Sequence, residues 1–493
     1  MTDAVSEQTV DVIVIGAGPV GENVADRAVQ GGLTVAIVER ELVGGECSYW
    51  ACMPTKALLR DAAALRATRT LPGAARAASG DLDIAGVLAR RDRFASDWDD
   101  AGQVAWLDSA GITLVRGHGR ISGARTVTVE SSGNDTSPVT TLHARHAVVI
   151  ATGSSAHIPP IKGLADVAPW TSREAATAKT IPGRLAIIGG GVVGSEMATA
   201  YNALGSEVIL ISQTRLLPTV EAFAGDQVAD ALRAEGVDLH LNVDATEVVR
   251  DESGAVTVTL SDGTMVTADE VLVATGRSAN TKDIGLDQIG LAAGSWLVVD
   301  DALKVLDGDG KPVGDDTDTG WLFAAGDVNQ RAPLTHHGKY QARALGDAIA
   351  ARANGAELEL GPWGRHAVTA DELATTQVIF TDPEVAAVGL TAREAEEVIG
   401  KNVRVVDYDL GAVAGAALHA DGYQGKARMV IDGYRNVVVG FTAVGPDIAE
   451  LLHAATIAIT GEVPLDRLWH AVPAYPTISE IWLRLLEADG RDH

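Results

Sequence analysis

The amino-acid sequence predicts an α/β fold in which one strand–turn–helix–strand unit occurs twice. The first copy runs from Asp11 to Glu39 and contains the glycine-rich turn GAGPVG. The second copy runs from Arg184 to Ser212, roughly 170 residues later, and contains GGGVVG. From about His366 onward no such turn occurs, and strands and helices are mixed. We therefore expect two Rossmann-like nucleotide-binding domains followed by an α+β C-terminal domain.

Length and composition are typical of a multidomain globular protein. The chain has 493 residues and is 46% apolar, which gives a prior of about three domains. Its 66 acidic residues outnumber 39 basic ones, and the net charge of −27 argues against nucleic acid or an anionic membrane as a partner. The sequence contains no apolar run of about 18 residues, and the acidic start MTDAVSEQTV is unlike a secretory signal. We expect a cytoplasmic protein without membrane spans.

The first glycine-rich turn has the spacing of a dinucleotide site. Gly16 allows the tight turn, Gly18 lets the backbone approach a pyrophosphate, and Gly21 permits close packing of the helix. Glu39 ends the next strand about 20 residues later, where a carboxylate can accept hydrogen bonds from ribose hydroxyls. A tight turn alone would explain the glycines, but the strand, helix and Glu39 in register favour nucleotide binding.

Several further segments belong to the first unit. An alanine-rich stretch at about 56–106 is predicted to be helical, and short strands follow it, interrupted by the turn-rich segment 131–138. These strands close at 146–154, HAVVIATGS. The segment GWLFAAGDV at 320–328 resembles the end of this first domain, and the Gly- and Asp-rich stretch 308–320 before it is predicted to be an exposed loop.

Both cysteines of the chain lie in one short segment, GGECSYWACMPTK. In an ideal helix, Cα atoms five residues apart lie roughly 8 to 9 Å from each other, beyond the disulfide limit of about 7 Å. Bridging Cys47 and Cys52 therefore requires a distorted helix, and Gly44, Gly45 and Pro54 supply the distortion. Pro54 in a first helical turn would place Cys52 near a helix N-terminus, where a thiolate is stabilised and its pKa is lowered. Two buried structural thiols are the alternative.

The cysteine segment resembles the active-site motif of the glutathione reductase, lipoamide dehydrogenase and mercuric reductase family. The resemblance extends along nearly the whole chain, through GAGPVG, ATGS, GGGVVGSE, ATGRSAN, AAGD and FTDPEVAAVGLT. It implies an FAD domain at 1–160, an NAD(P) domain at 161–280, a central domain at 281–365 that completes the FAD domain, and an interface domain at 366–493. It also implies a homodimer.

The same resemblance assigns roles at the redox centre. Cys52 would lie against the flavin and Cys47 would face the substrate. Lys56 would sit by the flavin and pair with Glu196 of GGGVVGSE, as a buried ammonium requires. Asp327 of AAGD would bond the flavin ribityl chain, although it could also be a helix N-cap.

The ATGS and ATGRSAN motifs add further cofactor-binding candidates to this implied set. They are Gly153, Gly276 and Arg277.

The second glycine-rich turn is the expected pyridine-nucleotide site. Gly189, Gly191 and Gly194 repeat the three roles of the first turn. An NAD site expects an acidic residue at the end of the following strand, where this sequence has Ser212, with Arg215 nearby. Because no carboxylate would repel a 2′-phosphate and Arg215 could pair with it, we favour NADPH and leave NADH open. Arg215 could also be an ordinary solvated arginine.

The chain departs from the family at its C-terminal end. Disulfide-reducing relatives carry His-Pro-Thr with a Glu five residues after the His, whereas this chain has Tyr475 and then Glu480. Loss of a positioned acid/base typically costs about 10²- to 10⁴-fold in rate, and a phenol with a pKa near 10 cannot replace imidazole. Mercuric reductases resemble this chain in having the tyrosine, but they also carry a C-terminal cysteine pair, which this sequence lacks.

Three histidines are left without assigned chemistry. His470 lies five residues before the tyrosine and could substitute for the missing histidine, although a packed or surface role is the simpler interpretation. His336 and His337 follow AAGD and are expected to be structural or near the flavin.

These features predict a homodimeric FAD-dependent NAD(P)H oxidoreductase. Electrons would pass from NADPH through FAD and the cysteine pair to a small-molecule acceptor, which could be a quinone, a metal ion such as mercuric ion, or an unusual disulfide. One alternative is the lipoamide dehydrogenase of a 2-oxo acid dehydrogenase complex. A non-enzymatic redox sensor is another.

Overall fold

The computed structural model describes residues 6–131, 139–314 and 320–491. Residues 132–138 of the predicted turn-rich segment and residues 315–319 of the predicted loop lie outside the described residues. The chain divides into two compact units, which are described separately. Unit 1 comprises 1–53, 92–155 and 277–372, and unit 2 comprises 54–91, 156–276 and 373–493.

Helices occur throughout both units. They are α1 Pro19–Gln30, α2 Gly45–Tyr49, α3 Cys52–Arg69, α4 Pro72–Ala75, α5 Ile84–Phe94, α6 Ala101–Ser109, α7 Ser172–Thr177, α8 Val192–Ala203, α9 Ala222–Ala234, α10 Thr335–Ala353, α11 Ala370–Leu373, α12 Ala392–Ile399, α13 Ala414–His419, α14 Leu452–Thr460, α15 Leu465–Leu468 and α16 Ile481–Asp489. No helix within the described ranges is both long and apolar enough to cross a membrane.

The strands form the sheets around which the helices pack. They are β1 Ser6–Ile15, β2 Val35–Glu39, β3 Thr113–Arg116, β4 His118–Gly123, β5 Thr126–Glu130, β6 Thr140–Ile150, β7 Ser154–Ala156, β8 Arg184–Ile188, β9 Glu207–Ser212, β10 Asp238–Leu241, β11 Ala245–Arg250, β12 Val256–Leu260, β13 Met265–Ala268, β14 Glu270–Val273, β15 Arg277–Ala279, β16 Leu322–Ala324, β17 Thr376–Ile379, β18 Glu384–Gly389, β19 Val403–Asp409, β20 Lys426–Asp432 and β21 Val437–Gly445.

Unit 1 is built on a mixed sheet with the order β3-β2-β1-β6-β5-β4. β1 pairs in parallel with β2 and β6, and β16 pairs in parallel with β6, so the segment GWLFAAGDV adds a strand to the sheet that contains β1. Both faces are buried: Ile13 and Ile15 of β1 belong to one hydrophobic core, and Val12 and Val14 belong to the other. Burial on both faces explains why the last four residues of β1, VIVI, form a continuous apolar run.

Unit 2 contains the second nucleotide-type sheet, which is parallel and has the order β10-β9-β8-β14. A three-stranded antiparallel sheet, β11-β12-β13, follows in the chain. The C-terminal region forms a five-stranded antiparallel sheet, β17-β18-β21-β20-β19, with helices α12 to α16. The predicted α+β character of this region is confirmed. Its Ile379, Val385 and Val444 share a core with the parallel sheet.

The predicted helical stretch at 56–106 is confirmed by α3, α4, α5 and α6. The predicted domain boundaries after residues 160, 280 and 365 stay a prediction.

Candidate active site

The first glycine-rich turn joins β1 to α1. Gly16 has φ = +103°, and a Cβ atom there would lie 2.5 Å from the carbonyl oxygen of Ala151. A Cβ on Gly21 would lie 1.9 Å from the Gly16 oxygen, so the helix could not approach the strand as closely with any other residue. Gly18, just before the helix starts, would meet only the Cα of Gly45 at 3.9 Å. The space at the N-terminus of α1 is therefore open to a pyrophosphate, which its unpaired N–H groups can bind.

Glu39 stands at the end of β2 beside this turn. Its two carboxylate oxygens accept hydrogen bonds from the backbone N–H groups of Ala17 (2.8 Å) and Glu41 (2.7 Å). Burial raises the pKa of the Glu39 carboxyl, and these two N–H groups oppose the increase. Glu39 lines a cleft together with Gly16, Thr152 and Asn280. An open helix N-terminus next to a cleft with a carboxylate in its wall fits the dinucleotide half of FAD.

A polar cluster in unit 1 connects three of the predicted cofactor-binding segments. The hydroxyl of Ser154 donates to Asp327 Oδ2 at 2.6 Å, and Arg277 donates to the same hydroxyl. Arg277 also lies 3.7 Å from the Asp327 carboxylate. Gly153, with φ = +70°, precedes the serine. The carboxylate of Asp327 is thus held by residues of the ATGS and ATGRSAN motifs. Asp327 is not the N-cap of the 3-10 helix Asp327–Asn329, because Gly326 occupies that position.

The cysteines lie on two separate helices. Cys47 is in the five-residue α2, and α3 begins at Cys52 itself. The chain leaves helical geometry between them at Trp50 (φ −133°, ψ −2°), and Gly44 (φ +112°) precedes α2. The helix break that the five-residue spacing requires is therefore present. Both side chains are half-buried.

Cys52 begins α3 and lies close to the first residue of α10. Its Sγ is 3.3 Å from the hydroxyl oxygen of Thr335, the first residue of α10. Two helix N-termini and a hydroxyl that can donate a hydrogen bond favour a negatively charged sulfur. This arrangement suits the thiolate form of Cys52.

In unit 2 the structure brings Lys56 and Glu196 together. Lys56 Nζ lies 2.6 Å from Glu196 Oε2, and Glu196 is 2% exposed. The other oxygen, Oε1, accepts from the backbone N–H of Phe380 at 2.9 Å. The Phe380 ring also lies 5.2 Å from the Lys56 ammonium. Phe380 therefore contacts both members of the ion pair, Glu196 through its backbone N–H and Lys56 through its ring.

The second glycine-rich turn repeats the geometry of the first. Gly189 has φ = +121°, and its Cβ would lie 2.3 Å from the Ala274 oxygen. A Cβ on Gly194 would lie 1.8 Å from the Gly189 oxygen, whereas Gly191 has open space beside it at the start of α8. Gly276 has φ = +131° and also faces open space. These contacts fit a second dinucleotide.

The end of β9 holds the residues on which the coenzyme prediction depends. Ser212 is the last residue of the strand and is 5% exposed. The guanidinium of Arg215 donates to backbone carbonyls of its own loop, and its pairing with a 2′-phosphate stays a prediction. The accepting residues are Leu216, Leu217, Pro218 and Val220. This arginine shapes the loop because the turn after β9 leaves carbonyl groups without strand partners.

Tyr475 and Glu480 lie in different environments. The Tyr475 side chain is 76% exposed, whereas Glu480 is 4% exposed. Oε2 of Glu480 has no hydrogen-bond partner among the described residues, and its Oε1 lies 3.5 Å from Arg484. The buried carboxylate is present, but no hydrogen bond within the described part of this chain connects it to Tyr475.

The three histidines without assigned chemistry differ in exposure. His470 and His336 are exposed. His337 is 5% exposed, and its Nδ1 lies 3.0 Å from Asp371.

Sequence reasoning missed three residues of the site: Ser154, Thr335 and Phe380. Ser154 belongs to the motif ATGS and Phe380 to the motif FTDPEVAAVGLT, but neither motif predicts which distant side chain its residue contacts. The sequence signal that could have identified Thr335 is its position at the start of a helix soon after AAGD.

Two parts of the chain match families of known proteins. Residues 10–342 match the family described as pyridine nucleotide-disulphide oxidoreductase. The chain belongs to this family. Residues 375–485 match the dimerisation domain of the same oxidoreductases, which supports a homodimer. The chain is accordingly an FAD-dependent oxidoreductase that uses a pyridine nucleotide and has a redox disulfide.

Two groups of relatives are similar over nearly the full chain. Mercuric reductase from Shigella flexneri is 30% identical over 486 residues, which cover 96% of this chain and 80% of the relative. Dihydrolipoyl dehydrogenase from Thermus scotoductus is 31% identical over 490 residues, which cover 98% of this chain and 97% of the relative.

Solved structures share the fold of this oxidoreductase. One is the Cu(II) complex of the HOCl-induced flavoprotein disulfide reductase RclA from Escherichia coli, at 22% identity and a TM-score of 0.79. Another is LpdA from Mycobacterium tuberculosis, at 24% identity and a TM-score of 0.79. Each comparison covers 97% of this chain and 99% of the other. The fold of nearly the whole chain therefore occurs in solved flavoprotein structures.

Proposed function

We propose that this oxidoreductase passes two electrons from NADPH through FAD and the Cys47/Cys52 disulfide to an acceptor whose reduction needs no histidine base. The observation that carries this proposal is the position of Cys52 at the start of α3, 3.3 Å from the Thr335 hydroxyl. Structural thiols require no such donor, whereas a thiolate that alternates between disulfide and reduced states does.

The cofactor would be held by residues already described. Gly16, Gly18 and the start of α1 would bind the pyrophosphate of FAD, Glu39 its ribose, and Asp327 its ribityl chain. Bound flavin supplies two-electron transfer between a nicotinamide and a disulfide. The family resemblance also assigns Lys56, which is fixed by Glu196 and Phe380, to the flavin.

The cysteine pair stores the electrons as thiols. Breaking the S–S bond takes up two electrons and one proton, which would leave Cys47 as the thiol and Cys52 as the thiolate stabilised by Thr335. Cys47 would then face the acceptor. When the S–S bond forms again, two electrons and one proton leave. The electrons reduce mercuric ion to elemental mercury, or they reduce a quinone to its hydroquinone together with this proton and a second proton from solvent.

The choice of NADPH rests on Ser212. A carboxylate at this strand end would bind the ribose diol of NADH and repel a 2′-phosphate, and a serine does neither. Arg215 contributes indirectly, because its four hydrogen bonds to carbonyls fix the loop after the strand.

The choice of acceptor rests on Tyr475. An exposed phenol cannot take a proton from Cys47 at neutral pH as an imidazole can. A soft metal ion needs thiolates rather than a base. The mercuric reductases among the relatives are consistent with this acceptor class.

Steady-state NADPH oxidation with mercuric ion, a naphthoquinone, lipoamide and glutathione disulfide tests the proposal, with Cys47→Ser run in parallel. We expect turnover with mercuric ion or the quinone that falls at least 100-fold in Cys47→Ser. Quinone turnover that survives the substitution would show that the dithiol is ancillary.

Dihydrolipoyl dehydrogenase is the second candidate function. Relatives of that name, at 31% identity, favour it. It would require lipoamide turnover with NAD and therefore a base other than a histidine at position 475. Strong Cys47-dependent lipoamide turnover in the same assay would replace our proposal with this one.

A further inference from the structure

Three consecutive residues of unit 1 adopt a left-handed backbone conformation. Ser96, Asp97 and Trp98 have φ of 50°, 50° and 57°. None is a glycine, and such runs are rare because the side chain crowds the following carbonyl. Strained backbone of this kind persists only where surrounding contacts over-determine it. The contacts of this turn therefore indicate which part of the structure it supports.

The turn places the indole of Trp98 against the helix that carries Cys47. Trp98 Nε1 donates to the carbonyl oxygen of Tyr49 at 3.0 Å. Tyr49 is the last residue of α2 and is 0% exposed. The donor therefore satisfies a carbonyl at the C-terminal end of the helix, where no intrahelical partner is available.

The same segment also holds the other end of α2. Asp100 Oδ2 accepts from the backbone N–H of Val43 at 2.7 Å, two residues before the helix begins. Arg116 pairs with the same carboxylate oxygen. Within the helix segment, the Tyr49 hydroxyl donates to the Val43 carbonyl at 3.0 Å. Both ends of α2 are thus bonded to residues 96–100.

α2 depends on such support. A five-residue helix is far too short to be stable by itself. Its N-cap, Gly44, offers no side-chain hydrogen bond. Without Trp98 and Asp100, the position of Cys47 would depend on a short glycine-flanked segment.

We propose that residues 96–100 form a clamp that fixes α2, and with it Cys47, so that closure of the Cys47–Cys52 disulfide is favoured. The clamp rests on the proposed function, in which this pair is redox-active. Trp98 and Asp100 are positioning residues, since they act through α2. A clamp raises the effective concentration of one thiol at the other, which favours the disulfide over the dithiol. Loosening the clamp should therefore make the pair easier to reduce.

The test is a redox titration of the holoenzyme under anaerobic conditions. The protein is equilibrated in thiol/disulfide buffers of graded potential, and the Cys47–Cys52 disulfide fraction is measured by alkylation and mass spectrometry. Trp98→Phe removes the N–H donor. We expect it to lower the equilibrium constant for formation of the Cys47–Cys52 disulfide about tenfold, which shifts the reduction potential of the pair by about 30 mV to a less negative value. Asp100→Ala should shift it in the same direction from the other end of α2. Trp106→Phe, at the half-exposed indole of α6, is the matched control and should not shift it.

The outcomes separate the clamp from the function. A wild-type potential in both variants, whether or not their melting temperatures fall, overturns the clamp and leaves Trp98 with a stabilising role only. A wild-type protein that forms no Cys47–Cys52 disulfide at any potential overturns the proposed function and the clamp together. If Trp98→Phe does not fold, Asp100→Ala alone decides.

Discussion

The thiol of Cys52 and the hydroxyl of Thr335 lie 3.3 Å apart, although 283 residues separate them in the chain. They are the first residues of α3 and α10. A thiolate at this place receives a hydrogen bond and the favourable dipoles of both helices. The reactivity of Cys52 should therefore depend on a residue far from the cysteine motif.

Thr335→Val removes the hydroxyl and keeps the shape. A hydrogen bond to a charged group is worth about 1.5–3 kcal/mol, so we expect alkylation of Cys52 in the reduced protein at pH 7 to slow by about tenfold or more. Peptide mass spectrometry after timed iodoacetamide treatment measures this rate. Thr335→Ser keeps the donor and should react like the wild type. Equal rates for the valine and serine variants would show that the contact does not stabilise the thiolate.

The sequence was sufficient for features that depend on neighbouring residues. The turns at Gly16 and Gly189 could be predicted because strand, turn and helix follow each other in the chain. The break between Cys47 and Cys52 could be predicted because helix geometry fixes the distance between residues five apart.

Contacts between distant segments could not be predicted in the same way. Thr335 meets Cys52, and Phe380 meets Lys56 and Glu196, only because the fold brings their elements together. The left-handed turn ending at Trp98 carries no glycine to signal it. The orientation of Arg215 depends on carbonyl groups of its own loop, which composition does not reveal.

The coenzyme preference should respond to Ser212. Ser212→Asp places a carboxylate at the end of β9, where it would repel a 2′-phosphate and could bind a ribose diol. We expect the KM for NADPH to rise about tenfold or more and the KM for NADH to fall, measured by initial rates with one acceptor. Thr180→Asp, at an exposed position before β8, serves as a control. An unchanged ratio of the two KM values would place coenzyme selection elsewhere.

Tyr475→His should restore the acid/base group that disulfide-reducing relatives carry at this position. Glu480, five residues later, is 4% exposed and its Oε2 has no hydrogen-bond partner among the described residues, so it could accept a hydrogen bond from an imidazole N–H. We expect turnover with lipoamide or glutathione disulfide to rise by about tenfold or more. The gain should disappear in the double variant with Glu480→Gln. If the single variant shows no gain, the missing histidine is not what limits disulfide reduction.

Glu22, in the first turn of α1, should make stability depend on pH. Burial, together with the charge of Glu39, raises the pKa of Glu22 from 4.5 to about 7, although Lys339 opposes the increase. Its Oε1 has no hydrogen-bond partner among the described residues. Between pH 4.5 and 7 the folded protein holds this proton more tightly than the unfolded chain does, so the free energy of unfolding falls as pH rises through this window.

Glu22→Gln removes this titration. Above pH 7 the variant should be more stable than the wild type by up to about 3 kcal/mol, and below pH 4.5 the difference should vanish. Thermal melting of the holoenzyme between pH 4 and pH 8 measures this, with the exposed Glu252→Gln as the control. A variant that melts below the wild type at pH 8 would mean that the Glu22 carboxylate is stabilised in the folded state.

The central claim, that electrons from NADPH pass through Cys47 and Cys52, is tested most directly by counting thiols during anaerobic reduction. Holoenzyme with its cysteines oxidised is titrated with NADPH, and thiols are quantified at each step. We predict that two thiols appear per chain and that Cys47→Ser, in which no disulfide can form, gains none. If NADPH is consumed and no thiols appear in the wild type, the cysteine pair lies outside the electron path and the account is contradicted.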